Sequence, residues 1–244
     1  MSATVTLATV RRVLDQLRHD RRTIALLLVF PTVLMIILRY VLDVEQVFDR
    51  IAPALLGIFP FTVMFLVTSV ATLRERRGGT LERLMTMPMG RLDFLLGYGI
   101  AFGLVALLQV GIVTGVTVGF LGLDVEGSVW MLLLVAVLDA LLGTALGLAV
   151  SAFARTEFQA VQFLPVVVLP QVLLCGLFIA RDQMAQLLQW ISNALPLTYA
   201  VDAMTIVTRS SSVSGDLWRD VAVVGGASLL ALGLGAATLR RQSG

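Results

Sequence analysis

Residues Arg74–Gly97 read RERRGGTLERLMTMPMGRLDFLLG and separate two long apolar runs. The stretch contains five arginines, each of which would cost roughly 2.5–3.5 kcal/mol at the centre of a bilayer. This segment must therefore lie in water or against a soluble partner. Because the flanking sequence is long and apolar, we expect residues 74–94 to form a loop between two membrane spans, on the side where basic loops remain.

The composition of the chain also indicates a membrane protein. Hydrophobic residues make up 58% of the 244 residues and charged residues only 14%, whereas soluble domains carry about 25% charged residues. All eighteen basic residues are arginines, and they flank apolar runs instead of forming one patch with stacking aromatics. Nucleic acid is therefore not an expected partner.

Runs of about 20 apolar residues predict six transmembrane helices. The first five spans cover about Thr23–Leu42, Ile51–Leu73, Leu95–Leu121, Val129–Phe153 and Val161–Ala180, and the sixth covers about Val221–Leu239. The sequence thus predicts an all-α integral membrane protein, with residues 1–244 as a single domain.

The distribution of arginines predicts the orientation of the spans. Thirteen arginines fall in the N-terminal segment, the loop after the second span, the loop after the fourth span and the C-terminal tail, and five fall on the other side. The first side is therefore predicted to be cytoplasmic, with both termini inside. An even number of spans agrees with this placement of the termini.

Two segments are polar enough that they are not expected to span the membrane. Residues 1–22 place Leu7, Val10, Leu14 and Leu17 at helical spacing, which predicts an amphipathic helix on the inner membrane surface; a plain solvated helix is the alternative. Residues 181–219 mix apolar and amide side chains, and Pro196 interrupts them. We interpret this region as a pair of short re-entrant helices in the outer leaflet, since a flexible loop in water would contain fewer apolar residues.

The residues needed for catalysis are largely missing. A Walker A loop requires a lysine, and the chain has none. His19 is the sole histidine and Cys175 the sole cysteine, so neither a zinc site nor a nucleophile–base pair inside the membrane is expected. The chain is predicted not to be an enzyme by itself, and to bind no cofactor or metal.

Asp139, near the middle of the fourth span, is the main intramembrane polar residue. It shares a helix face with Gly143, Gly147 and Ser151, a stripe of small residues that allows close helix approach. A buried acid suggests a substrate or proton site, and the alternative is a hydrogen-bonded packing anchor. We favour the anchor, because no second acid accompanies Asp139. Glycines of the third span are likewise interpreted as packing contacts: Gly99, Gly103, Gly111, Gly115 and Gly119.

A short helix is predicted within the basic loop. Gly78 and Gly79 permit a sharp turn, Thr80 is a suitable N-cap, and Pro88 ends a helix that runs to Met87. Its apolar side consists of Leu81, Leu84 and Met85, and Glu82 and Arg83 lie on the other side. An amphipathic helix in water without a core of its own requires a partner.

These residues resemble the segment that follows the second span in permease subunits of type-2 ABC exporters of the daunorubicin-resistance class. The family pattern is approximately E-R-x-x-G-T-L-E-R-L-x-x-x-P, followed by a glycine that opens the next span. The matching residues are Glu75, Gly79, Thr80, Leu81, Glu82, Leu84, Pro88 and Gly97. The stretch Leu195–Ala203, LPLTYAVDA, is similar to the short motif that precedes the last span of the family.

The resemblance implies a dimer of six-span subunits, identical or homologous, bound to two copies of a separate ABC ATP-binding subunit that carries ATP and magnesium. Thr80, Leu81, Glu82, Leu84, Met85 and Pro88 would then belong to a cytoplasmic coupling helix that seats on the ATPase. The second and fifth spans would face the dimer cavity. This places six residues near an amphipathic drug or lipid: Phe61, Met64, Phe65, Gln171, Leu174 and Phe178.

The resemblance also implies export across a bacterial plasma membrane, with membrane lipid as a further partner. Two alternatives from other classes remain, an ion-coupled secondary transporter and a non-transporting membrane scaffold. A proton-coupled carrier usually needs several acids or a histidine within the membrane, and Asp139 is the only acid deep in a predicted span.

Overall fold

The apolar runs form long helices in the structure, a computed structural model that describes residues 3–78, 91–212 and 214–239. The described residues form nine α-helices and no β-strand. The helices are α1 (Ala3–His19), α2 (Arg21–Leu42), α3 (Glu45–Arg77), α4 (Arg91–Gly119), α5 (Val129–Ser151), α6 (Glu157–Leu174), α7 (Gln186–Ala194), α8 (Pro196–Arg209) and α9 (Gly215–Leu239).

Six of these helices are long and apolar enough to cross a membrane, which confirms the predicted architecture. The candidate spans are Thr23–Leu42, Glu45–Glu75, Leu96–Gly119, Val129–Ser151, Glu157–Leu174 and Gly215–Gly235. Residues 79–90 of the connection between α3 and α4, which include the predicted coupling helix Thr80–Met87, lie outside the described residues. We call the end of the bundle that carries α1 the α1 end, and the opposite end the far end.

Several helix ends differ from the predicted spans. The fifth span was predicted to end at Ala180, but α6 ends at Leu174, because Gly176 turns the chain with a left-handed φ of 94°. The second and last spans extend beyond their apolar runs, to Arg77 in α3 and from Gly215 in α9. Charged residues at these ends continue the helix, so hydropathy alone underestimates its length.

Helices α3 and α5 form the buried centre of the bundle. The most apolar stretch of α3 is 72% buried and that of α5 is 61% buried, compared with 17% for α2 and α6. The two helices meet closely because α5 presents glycines: a Cβ atom on Gly143 would lie 2.3 Å from the carbonyl oxygen of Phe61, and one on Gly147 would lie 2.5 Å from that of Phe65. The small-residue stripe predicted on the fourth span is thus a packing surface.

The glycines of the third span behave differently. A Cβ atom on Gly99, Gly111, Gly115 or Gly119 would meet no atom within 4 Å, and of the five glycines interpreted as packing contacts only Gly103, beside Leu141, is close to a neighbouring helix. The prediction that these glycines form packing contacts is therefore wrong within this chain, except at Gly103. Most of them lie on the outer surface of the bundle.

Helix α1 packs against α4 at the α1 end. Its buried side consists of Thr9, Val10, Val13 and Leu17, and a Cβ atom on Gly97 of α4 would lie 2.7 Å from the Thr9 side chain. The predicted helix is confirmed, but Leu7, which we expected on its apolar face, is 71% exposed. Val13 faces the bundle instead, because α1 packs against α4 and not only against the membrane surface for which its apolar face was predicted.

At the far end, two short helices follow α6, as predicted. Pro196 occupies the first position of α8, where a missing N–H has no cost. Most of the apolar side chains of α8 are buried, whereas Leu187 and Trp190 of α7 are each 70% exposed. The backbone N–H of Gly127 donates to the carbonyl oxygen of Val207 at 3.1 Å, which fixes the end of α8 to the loop before α5.

Candidate functional site

An ionic cluster joins four helices at the α1 end. The Arg12 guanidinium of α1 donates to Glu75 Oε2 of α3 at 2.8 Å and to Tyr98 Oη of α4 at 3.0 Å. The side chain of Glu75 is only 11% exposed, so water screens this pair less than a surface ion pair. Because α3 and α4 flank residues 79–90, Arg12 holds together the two helices that lead into and out of this segment.

A second ion pair adds α6 to the same cluster. The Arg74 guanidinium donates from Nε and Nη2 to the two carboxylate oxygens of Glu157, at 2.9 Å each. Its Nη1 atom lies 3.8 Å from Oδ2 of Asp20, the N-cap residue of α2, which also accepts from the backbone N–H of Thr23 at 3.1 Å. Both side chains of the Arg74–Glu157 pair are about half exposed, at 55% and 50%, so its contribution to stability is small.

A cavity of about 630 Å³ opens beside this cluster. Most of its lining side chains are apolar, among them Leu17, Val67 and Phe102, and the lining also includes the charged side chains of Asp20, Arg74, Glu75 and Glu157. Five helices contribute to it: α1, α2, α3, α4 and α6. An apolar chamber of this size with a few charged groups is typical of a site for a drug-sized amphipathic molecule.

A second cavity, of about 600 Å³, lies at the far end between α3, the chain segment 175–182, α7 and α8. Arg181 crosses it, donating to the carboxylate of Asp202 and to the side-chain oxygen of Asn193. Its guanidinium also lies 5.9 Å from the ring centroid of Tyr199. Burial raises the pKa of the Asp202 carboxyl, and the adjacent Arg181 charge opposes that shift.

Asp139 lies near the middle of α5 and lines neither cavity. It is fully buried, and its Oδ2 atom would lie 3.0 Å from a Cβ atom on Gly57 of α3. Neither carboxylate oxygen has a hydrogen-bond partner among the described residues. The structure therefore shows close helix packing at this position without the hydrogen bond that we expected of an anchor.

This geometry gives a direct test of Asp139. An Asp139→Asn variant should insert, assemble and transport at close to the normal rate, because the side chain keeps its shape and loses no hydrogen bond. Thermal unfolding of the purified variant and a transport assay measure the two properties. Loss of transport by a stably folded Asn variant would instead indicate a proton or substrate site.

The structure does not gather the six residues predicted to contact a substrate. Phe61, Met64 and Phe65 are fully buried in the contact of α3 with its neighbours, and of the six only Phe178 lines either cavity described above. Gln171 is 3% exposed, and its amide oxygen accepts from the backbone N–H of Leu197 at 3.4 Å. These assignments, which assumed a dimer cavity, stay predictions.

Sequence reasoning missed the ionic cluster and both cavities. Arg12 and Glu75 are 63 residues apart, and Arg74 and Glu157 are 83 apart, so no local spacing joins them. One partial signal was available: Arg74, Glu75 and Glu157 are charges at the ends of apolar helices, where ion pairs between neighbouring helices often form. The coupling residues 80–88 lie outside the described residues, and the role predicted for them remains a prediction.

Residues 4–208 match the family described as ABC-2 type transporter. Inner membrane transport permease YhhJ of Escherichia coli K12 is 31% identical over 147 residues, which is 59% of this chain and 39% of that protein. Probable multidrug ABC transporter permease YbhS of the same strain is 25% identical over 185 residues, which is 75% of this chain and 49% of that protein.

Similarity extends to a eukaryotic protein. ABC transporter G family member 20 of Dictyostelium discoideum is 26% identical over 156 residues, covering 64% of this chain and 21% of that protein. In all three comparisons, the matched region spans less than half the length of the relative.

Proposed function

The chain belongs to the ABC-2 type transporter permease family, and from this premise we propose that it is the membrane subunit of an ATP-driven exporter. A separate ABC subunit, present in two copies, would bind ATP and magnesium and hydrolyse the nucleotide. The permease would pair with a second permease subunit, identical or homologous. The proposed setting is a bacterial plasma membrane, with both termini in the cytoplasm.

One observation carries this proposal beyond the family assignment. Arg12 donates hydrogen bonds to Glu75 and Tyr98. It therefore links α1 to α3 and α4, the two helices that flank residues 79–90. A force applied to that segment would therefore reach α1, α3 and α4 together, and would reach α6 through Arg74 and Glu157. Such a connection suits a subunit that is moved by a partner bound to the segment.

The proposed substrates are amphipathic drugs, lipids or similar hydrophobic compounds. The cavity at the α1 end supports this class, because its lining is mostly apolar and also includes four charged side chains. The name of YbhS as a multidrug ABC transporter permease agrees with it. The described residues carry no group of three or more His, Cys, Asp or Glu side chains that could hold a metal ion, so metal transport through such a site is not proposed.

Copurification tests the proposed assembly. Affinity purification of the tagged chain from its native membranes should recover a stoichiometric ABC ATPase whose ATP hydrolysis rises when the two proteins are reconstituted together. Recovery of the intact permease without any ATP-binding protein, from membranes that transport, would contradict the proposal and favour an ion-coupled transporter.

The topology gives an independent prediction. In a Cys175→Ala background, a cysteine in place of Ser212 should react with an impermeant maleimide in intact cells, and a cysteine in place of Gly79 should react only after lysis, because the arginine-rich side is predicted to be cytoplasmic. Mass-shift labelling measures both positions. Labelling of position 79 from outside would overturn the orientation and the coupling role together.

A further inference from the structure

The cavity at the far end contains more positive charge than its own ion pairs neutralise. Three arginines line it, Arg50, Arg181 and Arg209, together with two acids, Asp182 and Asp202. Arg181 is ion-paired with Asp202 and also donates to the side-chain oxygen of Asn193. The other two arginines are therefore the groups whose role in this cavity has to be explained.

Arg50 and Arg209 approach the cavity from different helices. Arg50 lies in the second turn of α3 and Arg209 is the last residue of α8, and both are exposed. Among the described residues, neither has a hydrogen bond or ion pair to another side chain. Of the two lining acids, Asp202 is paired with Arg181, and Asp182 has no ion pair among the described residues. The three unpaired side chains, Arg50, Arg209 and Asp182, therefore give the lining of this cavity of about 600 Å³ a net charge of +1.

Guanidinium groups in this arrangement favour one ligand chemistry. Each presents a planar fork of N–H donors that matches two oxygens of a phosphate group, and charge-assisted bonds of this kind are stronger than neutral ones. Because Arg50 and Arg209 line the same cavity from two different helices, we expect one anion to contact both of them.

We propose that the far-end cavity binds a phosphate or phosphodiester group through Arg50 and Arg209. The lining also includes the apolar side chains of Ile51 and Phe178, and Phe178 is 65% exposed. An exposed aromatic ring next to an anion site suits the glycerol and acyl portion of a phospholipid better than a free solute. The favoured ligand is therefore an anionic phospholipid headgroup, and a soluble phosphate ester is the other source of the same chemistry.

The proposal does not depend on export, since it concerns binding by the resting protein. Native mass spectrometry of the purified protein in detergent, titrated with phosphatidylglycerol, tests it. Diacylglycerol serves as the matched lipid without phosphate, and glycerol phosphate as the soluble anion. Other basic surfaces also attract anionic lipid, so the informative quantity is the difference between wild type and variants.

The double variant Arg50→Gln/Arg209→Gln should weaken phosphatidylglycerol binding by at least about tenfold, as expected for the loss of charged hydrogen bonds. The double control Arg11→Gln/Arg155→Gln likewise removes two positive charges, from exposed sites outside this cavity, and should leave the affinity unchanged. Asp182→Asn should tighten binding, because it removes the opposing charge. This gain cannot arise from partial unfolding, which would weaken binding instead.

Glycerol phosphate binding that depends on the same two arginines would support the site and assign it to a soluble anion. Two results would overturn the proposal. One is phosphatidylglycerol affinity that is equal in the wild type, the double variant and the Asp182→Asn variant. The other is diacylglycerol binding as tight as that of phosphatidylglycerol in the wild type.

Discussion

Leu84→Asp is expected to abolish association with the ABC ATPase, and transport with it. The sequence predicts that Leu81, Leu84 and Met85 form the apolar side of the coupling helix, and buried apolar anchors usually dominate the energy of an interface. An aspartate in that contact would be an unpaired charge removed from water, at a cost of several kcal/mol. The variant should still insert in the membrane, because residue 84 lies in the basic connection between two spans.

Arg83→Ala is the matched control, since position 83 is predicted at the rim of the same helix, where charges contribute little. It should leave copurification of the ATPase and the transport rate nearly unchanged. Pull-down from detergent extracts, with membrane insertion checked by fractionation, separates loss of the complex from loss of the protein. A Leu84→Asp variant that binds the ATPase and transports normally would remove the coupling role from this helix.

Gly143→Ala should destabilise the bundle by about 1–3 kcal/mol, the usual range for overpacking a close-packed core. The added Cβ atom would lie 2.3 Å from the carbonyl oxygen of Phe61, a backbone atom that cannot move aside without shifting α3. Because α3 and α5 are the two most buried spans, the displacement would affect most of the molecule. Thermal unfolding in detergent, followed by circular dichroism, measures the change.

Gly111→Ala provides the control for the same substitution. Gly111 lies in α4, and a Cβ atom there would meet nothing within 4 Å, so only helix propensity acts, in favour of alanine by up to about 1 kcal/mol. The two variants should therefore shift stability in opposite directions. Equal stability of the two would show that α3 and α5 are not as closely packed as described.

Much of the fold could be predicted because a bilayer imposes simple requirements. Each span needs a long apolar run, so the predicted first span, Thr23–Leu42, coincides with the part of α2 that is apolar enough to cross a membrane. Helix ends were harder, because they depend on caps and turns. The left-handed turn at Gly176 shortens the fifth span, and neither hydropathy nor proline positions indicate it.

Only those parts of the candidate site that lie within one short stretch of sequence could be predicted. The connection 74–94 was recognised from charge, glycine and proline within one stretch of sequence. The pairing of Arg12 with Glu75 depends on how α1 lies across α3 and α4, which no spacing within the chain specifies. The same limit applies to glycine: Gly143 and Gly111 look alike in sequence, and only the first faces another helix.

The most direct test of the proposed function is the energy source of transport. Inside-out vesicles that contain the chain together with its ABC ATPase should accumulate an amphipathic fluorescent compound when ATP is added. Uptake should persist when a protonophore collapses the proton gradient, and should disappear in the Leu84→Asp variant. Uptake that is driven by an imposed proton gradient without ATP, and that the Leu84→Asp substitution leaves intact, would contradict the assignment as an ATP-driven exporter.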